Sequence, residues 1–296
     1  MDFISGKALL DICGGEKISI SEAMIRREVE LFGISRDGAI SKMKTALGVM
    51  RESIKEAKAG KTDVLGGYIG GESRAHLSFI EKNGTLGGLI SRASAYAMGV
   101  IEVNASMGRI VAAPTAGSSG VLAGVIVAAG EMYGYNDDAL ISALFNAAAV
   151  GYLISRNSTV SGAEGGCQAE VGAASSMAAS ALCELFGAEP EVCLSAAGDA
   201  ISNILGLVCD PIDGLVEAPC QKRNAMGVAN AVVSAEIAMA TRRTMIPFDD
   251  IVKVLKQVGR EIPYQLRETA LGGLATVPSE NINRLPCAAC GKCNDK

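Results

Sequence analysis

Along most of this chain the apolar positions recur at helical spacing, and the period-two alternation of a half-buried strand is hard to find. Ser19 followed three residues later by Glu22 forms a capping box, which predicts a helix opening there and running to about Phe32. Gly33 and the Asp37-Gly38 pair are expected to break it. A second helix is expected over about 39–59, with Ile40, Met43, Leu47 and Met50 on one face and Gly60 at its end. From about Gly87 the character changes to long stretches of small apolar residues. Helices are expected there over about 86–103, 118–134, 137–154, 169–187, 192–206, 224–242 and 248–260. The chain therefore reads as mainly α, with small-residue-rich helices and little or no sheet. No fixed-period repeat is present. Residues 1–278 read as a single helical domain, and 279–296 as a polar, irregular, cysteine-containing C-terminal tail.

Composition sharpens this picture. Of 296 residues, 49% are hydrophobic, yet there are only six Tyr, six Phe and no Trp, against 35 Gly. A core so poor in aromatic rings packs through Ala, Val, Ile, Leu and Met, and small residues let helix backbones approach closely. Residues 111–130 carry no charge over a length that could span a bilayer. Pro114, Thr115, Gly117, Ser118, Ser119 and Gly120 fill the first half of that run, which reads as a buried core helix with no membrane role. A net charge of −5 with acids and bases interspersed gives no basic patch for nucleic acid. The N-terminal residues lack the basic and long apolar regions of a secretory leader, so a cytoplasmic location is expected.

Candidate chemistry lies in three places. Cys167 in GAEGGCQAE, Cys209 in GLVCDPIDG and Cys220 in VEAPCQKRN stand among Gly, Pro, Asp, Gln and Lys, unlike cysteines on an apolar helix face. Cys209 precedes Asp210-Pro211 and is expected to end a helix. Cys220 follows Pro219 and is expected at a helix start, where the dipole and neighbouring cations favour a thiolate. Three such thiolates form an incomplete cage for a soft metal, and an iron–sulfur cluster held this way keeps one iron free for a substrate. Cys13, Cys183 and Cys193 lie in or beside apolar helical runs and read as structural. The second place is Ala113-Pro-Thr-Ala-Gly-Ser-Ser-Gly120, a hydroxyl-rich loop feeding a helix N-terminus. It reads either as an anion site using Thr115, Ser118 or Ser119, or as an ordinary N-cap with close-packing glycines. The third is the tail, where Cys287, Cys290 and Cys293 have metal-ligand spacing without the fourth cysteine and proline of a ferredoxin run. His76 is the lone histidine, which argues against a metal–histidine site. The glycine-rich loop at 66–71 fits neither a dinucleotide fingerprint nor a P-loop.

Three long motifs, NASMGRIVAAPTAGSSGV, SGAEGGCQAEVGAAS and LGLVCDPIDGLVEAPCQKRNAMG, closely resemble the α chain of bacterial iron–sulfur-dependent L-serine dehydratase. The similarity runs from about Ile20 to LRETALGGLATVP at 266–278. The resemblance implies a mostly helical catalytic domain with a [4Fe–4S] cluster on Cys167, Cys209 and Cys220. It also implies deamination of L-serine to pyruvate and ammonia without pyridoxal phosphate, and a separate β chain, hence a hetero-oligomer. In single-chain relatives a cysteine at the extreme C-terminus reaches back as a fourth ligand. Cys293 matches it best, with Cys287 and Cys290 leaving that assignment open. On this reading Thr115, Ser118 and Ser119 orient the substrate carboxylate, and Asn224 binds substrate or cluster. Lys222 with Arg223 offsets the cluster's charge. A base for the Cα proton is scarce here: His76, Lys222, Glu164 and Glu170 are the candidates, and a histidine from the β chain is the alternative. Competing readings are a related cysteine or threonine lyase, a cluster-bearing redox or sensor protein, and an inert structural subunit.

Overall fold

A computed structural model describes residues 2–285 as twelve α-helices joined by short turns and single 3₁₀ turns, with no strand among them. Helices α1 (Gly6–Glu16), α2 (Ile20–Phe32) and α3 (Arg36–Lys58) come first. The glycine loop at 66–71 then leads into α4 (Glu72–Asn83) and α5 (Leu89–Ala105). After the hydroxyl loop come α6 (Ser119–Tyr133), α7 (Asp137–Asn157), the one-turn α8 (Gly162–Gly165), α9 (Cys167–Leu185) and α10 (Pro190–Ser202). Helices α11 (Cys220–Thr241) and α12 (Phe248–Glu261) complete the set.

Caps explain the boundaries. The Ser19 hydroxyl accepts the Glu22 N–H at 3.2 Å, as the capping box requires, and Gly33 ends α2 at φ 62°. Asp37-Gly38 is no break, however. Ser35 caps α3 by accepting the Gly38 N–H at 3.0 Å, which puts the pair inside the first turn. Helices α1 and α4 have no counterpart in the expected set. Each is short and set among glycines, and α4 takes its first turn from the left-handed Gly71 instead of a side-chain cap. Helix α10 stops at Ser202, so Cys209 does not end a helix. It lies in extended backbone, paired in a single parallel bridge with Arg267. The proline after Asp210 restricts only its immediate predecessor, and the chain leaves the helix earlier, through a turn with Gly206 at φ 87°.

The centre is built from α5, α6, α9 and α11, with α7 and α10 flanking them. Helices α3 and α4 cover α5, α2 covers α7, and α12 covers α10. The central helices are buried almost all round: α6 is closed off continuously from Ser119 to Gly130. Outer helices bury one stripe, as α12 does with Phe248, Ile251, Val252, Leu255 and Gly259. The two helical stretches long and apolar enough to cross a membrane, Ala116–Tyr133 and Asp137–Asn157, are 72% and 67% buried inside the bundle. Close backbone contact sets the spacing of α5 and α6. A Cβ on Gly124 would lie 2.5 Å from the Ala93 carbonyl oxygen, and one on Gly120 would strike that of Ala97.

At the far end, Leu285 donates its N–H to the Gly67 carbonyl at 2.7 Å, and the Arg284 guanidinium stacks 4.6 Å over Tyr68. Arg284 and Leu285 therefore lie against the glycine loop. Cys287, Cys290 and Cys293 fall outside the described residues.

Gly124→Ala is expected to destabilise the fold by about 1–3 kcal/mol through overpacking against backbone that has nowhere to move. Chemical denaturation of the variant beside the parent checks this.

Candidate active site

Each candidate thiol is set at a different kind of chain position. Cys167 is the first residue of α9, delivered by Gly166 at φ 74°, a conformation open to glycine without strain. Cys220 is the first residue of α11. Cys209 is fixed between them by main-chain bonds: its N–H donates to the Leu266 carbonyl at 2.8 Å, and its carbonyl accepts the Glu268 N–H at 2.7 Å. Cys167 and Cys209 are buried, packed with Val171, Ile204 and Leu207, whereas Cys220 is half-buried.

The three thiols stand close enough to act on one another. Burial pushes Cys167 and Cys220 up to about 12. Burial also pushes Cys209 up, and the proximity of Cys167 and Cys220 drives it further. The Arg223 guanidinium works in the opposite direction on Cys167 and Cys220. Among the described residues, no set of three or more His, Cys, Asp and Glu side chains is a ready-made single-ion site. The triad lines a space; it does not close on a point.

That space has a floor of glycine and a rim of acids. A Cβ at Gly162 would sit 2.8 Å from Glu170 Oε2, 3.0 Å from Cys209 Sγ and 3.1 Å from Glu268 Oε2. Two carboxylates and a thiol therefore converge where this residue has no side chain. Glu170 also faces the hydroxyl loop: its Oε1 accepts the Thr115 hydroxyl at 2.8 Å, and Thr115 Oγ1 lies 3.0 Å from Ser118 Oγ. Burial pushes the Glu170 carboxyl up, an effect the Thr115 hydrogen bond partly offsets.

Ser118, Ser119 and Asn224 are wholly buried in the scaffold of this loop. The Ser119 hydroxyl donates to the Ala116 carbonyl at 2.7 Å. The Asn224 amide donates to the carbonyls of Gly117 (2.8 Å) and Cys220 (2.9 Å) and accepts the Gly120 N–H at 3.1 Å. Asn224 is thus the tie between the hydroxyl loop, α6 and the start of α11. Lys222 is exposed on the first turn of α11, near Glu72. His76 is half-buried on α4, one helical turn beyond Glu72.

Several residues that hold the site lie inside the three long motifs, but their tertiary partners are not readable from the sequence. Arg223 donates to the Val208 carbonyl at 2.9 Å and pairs with Asp210 at 2.8 Å, joining α11 to the Cys209 segment. Asp210 accepts the Leu274 N–H at 2.7 Å, so the same pair anchors the irregular segment that follows α12. Buried Gln168, next to Cys167, accepts the Gly206 N–H at 2.8 Å and donates to the Leu255 carbonyl at 3.2 Å. Glu217 receives the N–H groups of Gly66 (2.6 Å) and Tyr68 (2.9 Å), fastening the glycine loop beside the Cys220 approach. Of these, Arg223 is already singled out in the sequence; a lone acid in an apolar setting, as at Glu217 in GLVEAP, is a signal that could have found another.

The architecture and the site define an all-helical domain that gathers three thiols beside a hydroxyl loop and two carboxyl groups. Residues 15–275 match the family described as the serine dehydratase alpha chain. The chain is 41% identical over 278 residues to a probable L-serine dehydratase, alpha chain, of Bacillus subtilis, covering 94% of this chain and 92% of that protein. It is 46% identical over 155 residues to the L-serine dehydratase, alpha chain, of Peptoniphilus asaccharolyticus, covering 52% of this chain and 53% of that one. Over 144 residues it is 45% identical to L-serine dehydratase 2 of Escherichia coli, an alignment spanning 47% of this chain and 31% of that longer protein. This chain belongs to the serine dehydratase alpha chain family.

Asp210→Ala leaves the Arg223 guanidinium without its carboxylate and frees the Leu274 N–H. Destabilisation of about 3 kcal/mol is expected, together with faster limited proteolysis within residues 264–277; unchanged cleavage there would show that the segment is held by other means.

Proposed function

We propose that this chain is the catalytic α subunit of an L-serine ammonia-lyase that works with a β chain to form pyruvate and ammonia, with a [4Fe–4S] cluster on Cys167, Cys209 and Cys220. One observation carries the reading: thiols from three separate segments meet beside a hydroxyl loop in a member of this family. The donor set fits the group. Three soft sulfur donors without an imidazole suit iron–sulfur chemistry, and the missing side chain at Gly162 lets the Cys209 thiol and two carboxyl groups approach one point. Arg223 supplies positive charge next to the thiols. Because all three thiols are held protonated by burial, loading releases their protons. When bound, such a cluster supplies a Lewis-acidic iron with an open position for the serine hydroxyl.

The chain's own residues bind and orient the substrate. The Thr115 hydroxyl, at the N-terminal end of the fifteen-residue α6, receives the serine carboxylate, where the helix dipole favours negative charge, and the buried Ser118 hydroxyl holds Thr115 from behind. Ser119 and Asn224 keep that loop in its binding shape. Glu170 and Glu268 offer negative charge to the serine ammonium, which fixes the substrate at both ends and presents its Cα proton in one direction. Lys222 and His76 are this chain's candidates to take that proton, with a β-chain histidine as the alternative source. A tail cysteine, Cys293 before Cys287 or Cys290, serves as the fourth ligand when substrate is absent.

The test is anaerobic pyruvate release from L-serine by the reconstituted chain, with and without its β partner, alongside the visible spectrum. Cys167→Ala is expected to lose both the brown colour and the activity. Thr115→Ala is expected to keep the colour and lose about 10–100-fold in kcat/KM, as removal of a hydrogen bond to a charged group does. A colourless, inactive protein despite iron, sulfide and partner overturns the reading.

A further inference from the structure

Helix α5 carries one acid where it crosses the core, Glu102, whose side chain is fully buried (0% exposed). Its Oε1 accepts the Ser73 N–H at 3.0 Å and the side-chain amide of Gln221 at 2.9 Å. The same Gln221 amide reaches Glu72 Oε2 at 3.2 Å, and that oxygen also accepts the Gly70 N–H at 2.6 Å. Two carboxyls from different helices therefore converge on one amide group, belonging to the residue that directly follows Cys220. The network is short of donors. Glu102 Oε2 and Gln221 Oε1 are both buried acceptors without a partner, a costly state for either atom.

The surroundings treat the two acids differently. Burial pushes the Glu102 carboxyl up; the backbone N–H groups of Ser73 and Gly71 offset part of this, and the charge of nearby Glu72 adds to the rise. Burial acts on Glu72 in the same sense. It is outweighed there by the Gly70 N–H, the Gln221 amide and the nearby Lys222 ammonium, which hold Glu72 below the usual carboxylate range. The charged groups facing this pair are thus the two acids themselves, from α4 and α5, and Lys222 from α11. Two carboxyls gathered on one buried amide repel each other when both are charged, which disfavours ionisation of the pair. A proton on Glu102 is also the donor that the network lacks.

We propose that Glu102 and Glu72 share a single proton at neutral pH, and that this acid–carboxylate pair, through Gln221, fixes the first turn of α11 and the direction of Cys220. Both are positioning residues. The consequence for a cluster ligand rests on the function proposed above, but the shared proton does not. Linkage gives a further sign. A carboxyl that holds its proton more tightly when folded destabilises the protein as pH rises from its ordinary value of 4.5 towards the folded one. E102Q, which keeps the shape and a donor but cannot ionise, removes that decline.

The experiment uses the full chain without metal, so its outcome is independent of cluster loading. Infrared difference spectra of wild type against E102Q at neutral pH are expected to contain a protonated-carboxyl stretch, shifted in heavy water, that E102Q lacks. Iodoacetamide labelling of Cys220, followed by mass spectrometry, is expected to stay within about twofold of wild type in E102Q and to rise about tenfold or more in E102L, a loss on the order of 1.4 kcal/mol in local order. Absence of the carboxyl band overturns the shared proton, and equal labelling of Cys220 in E102Q and E102L overturns its role. Wild type and E102Q decide the infrared arm alone, so failure of E102L to fold does not rescue the proposal. A colourless wild type after reconstitution, with the band present, counts against the cluster reading only.

Discussion

Backbone-to-backbone contact between helices is the constraint on which the remainder of this molecule depends. Gly120 and Gly124 let α6 lie directly on the carbonyls of Ala97 and Ala93, at a distance no side chain would permit. That contact fixes how far the N-terminal end of α6 projects. The hydroxyl loop hangs from that end, so the spacing of two helix axes in the core decides where Thr115 and Ser118 meet Glu170. Repacking at Gly124 therefore reaches the site through rigid elements, without touching any polar residue in it.

The thiols obey a second rule. Cys167 and Cys220 each open a helix and each is followed by a fully buried glutamine. Gln168 fastens its helix start to the loop ahead of Cys209 and to α12, while Gln221 fastens the other start to α4 and α5. Helix starts fray unless their orphan groups and first side chains are held. In this protein the residue beside each thiol does the holding, so the positions of the sulfur atoms are inherited from elements remote in sequence. Cys209, with no helix of its own, is held by main-chain pairing to the segment at 266–268.

Much of this was legible in the residues. Periodicity gave the long helices to within a few positions, and the capping box at Ser19 is formed as read. The polar, glycine-rich settings of Cys167, Cys209 and Cys220 marked the thiols that gather, and the expected start of a helix at Cys220 is met. What escaped reading depends on partners far along the chain. The proline after Asp210 says nothing about the pairing of Cys209 with Arg267, which is a contact between loops. Asp37-Gly38 has turn chemistry, but Ser35 ahead of it supplies a stronger instruction to start a helix. Glu102 did carry a signal, an acid inside an apolar helix. Its meaning appears only when Glu72 and Gln221, 30 and 119 positions away, are brought beside it. The resemblance gives Asn224 a contact with substrate or cluster; the bonds its amide makes within the fold, from the Gly117 carbonyl to the Gly120 N–H, belong to partners more than a hundred positions away and had no signal in the sequence.

The uneven burial of the three thiols sets a direction of traffic. Cys167 and Cys209 are closed off by packing, while Cys220 is half open to solvent at the head of α11. A thiol at the mouth of a packed cluster is the one a bulky reagent meets first. The three sulfur atoms are therefore chemically unequal although they share one neighbourhood: what Cys220 can reach by a small movement of its side chain, Cys167 and Cys209 reach only if the packing of Val171, Ile204 and Leu207 around them gives way.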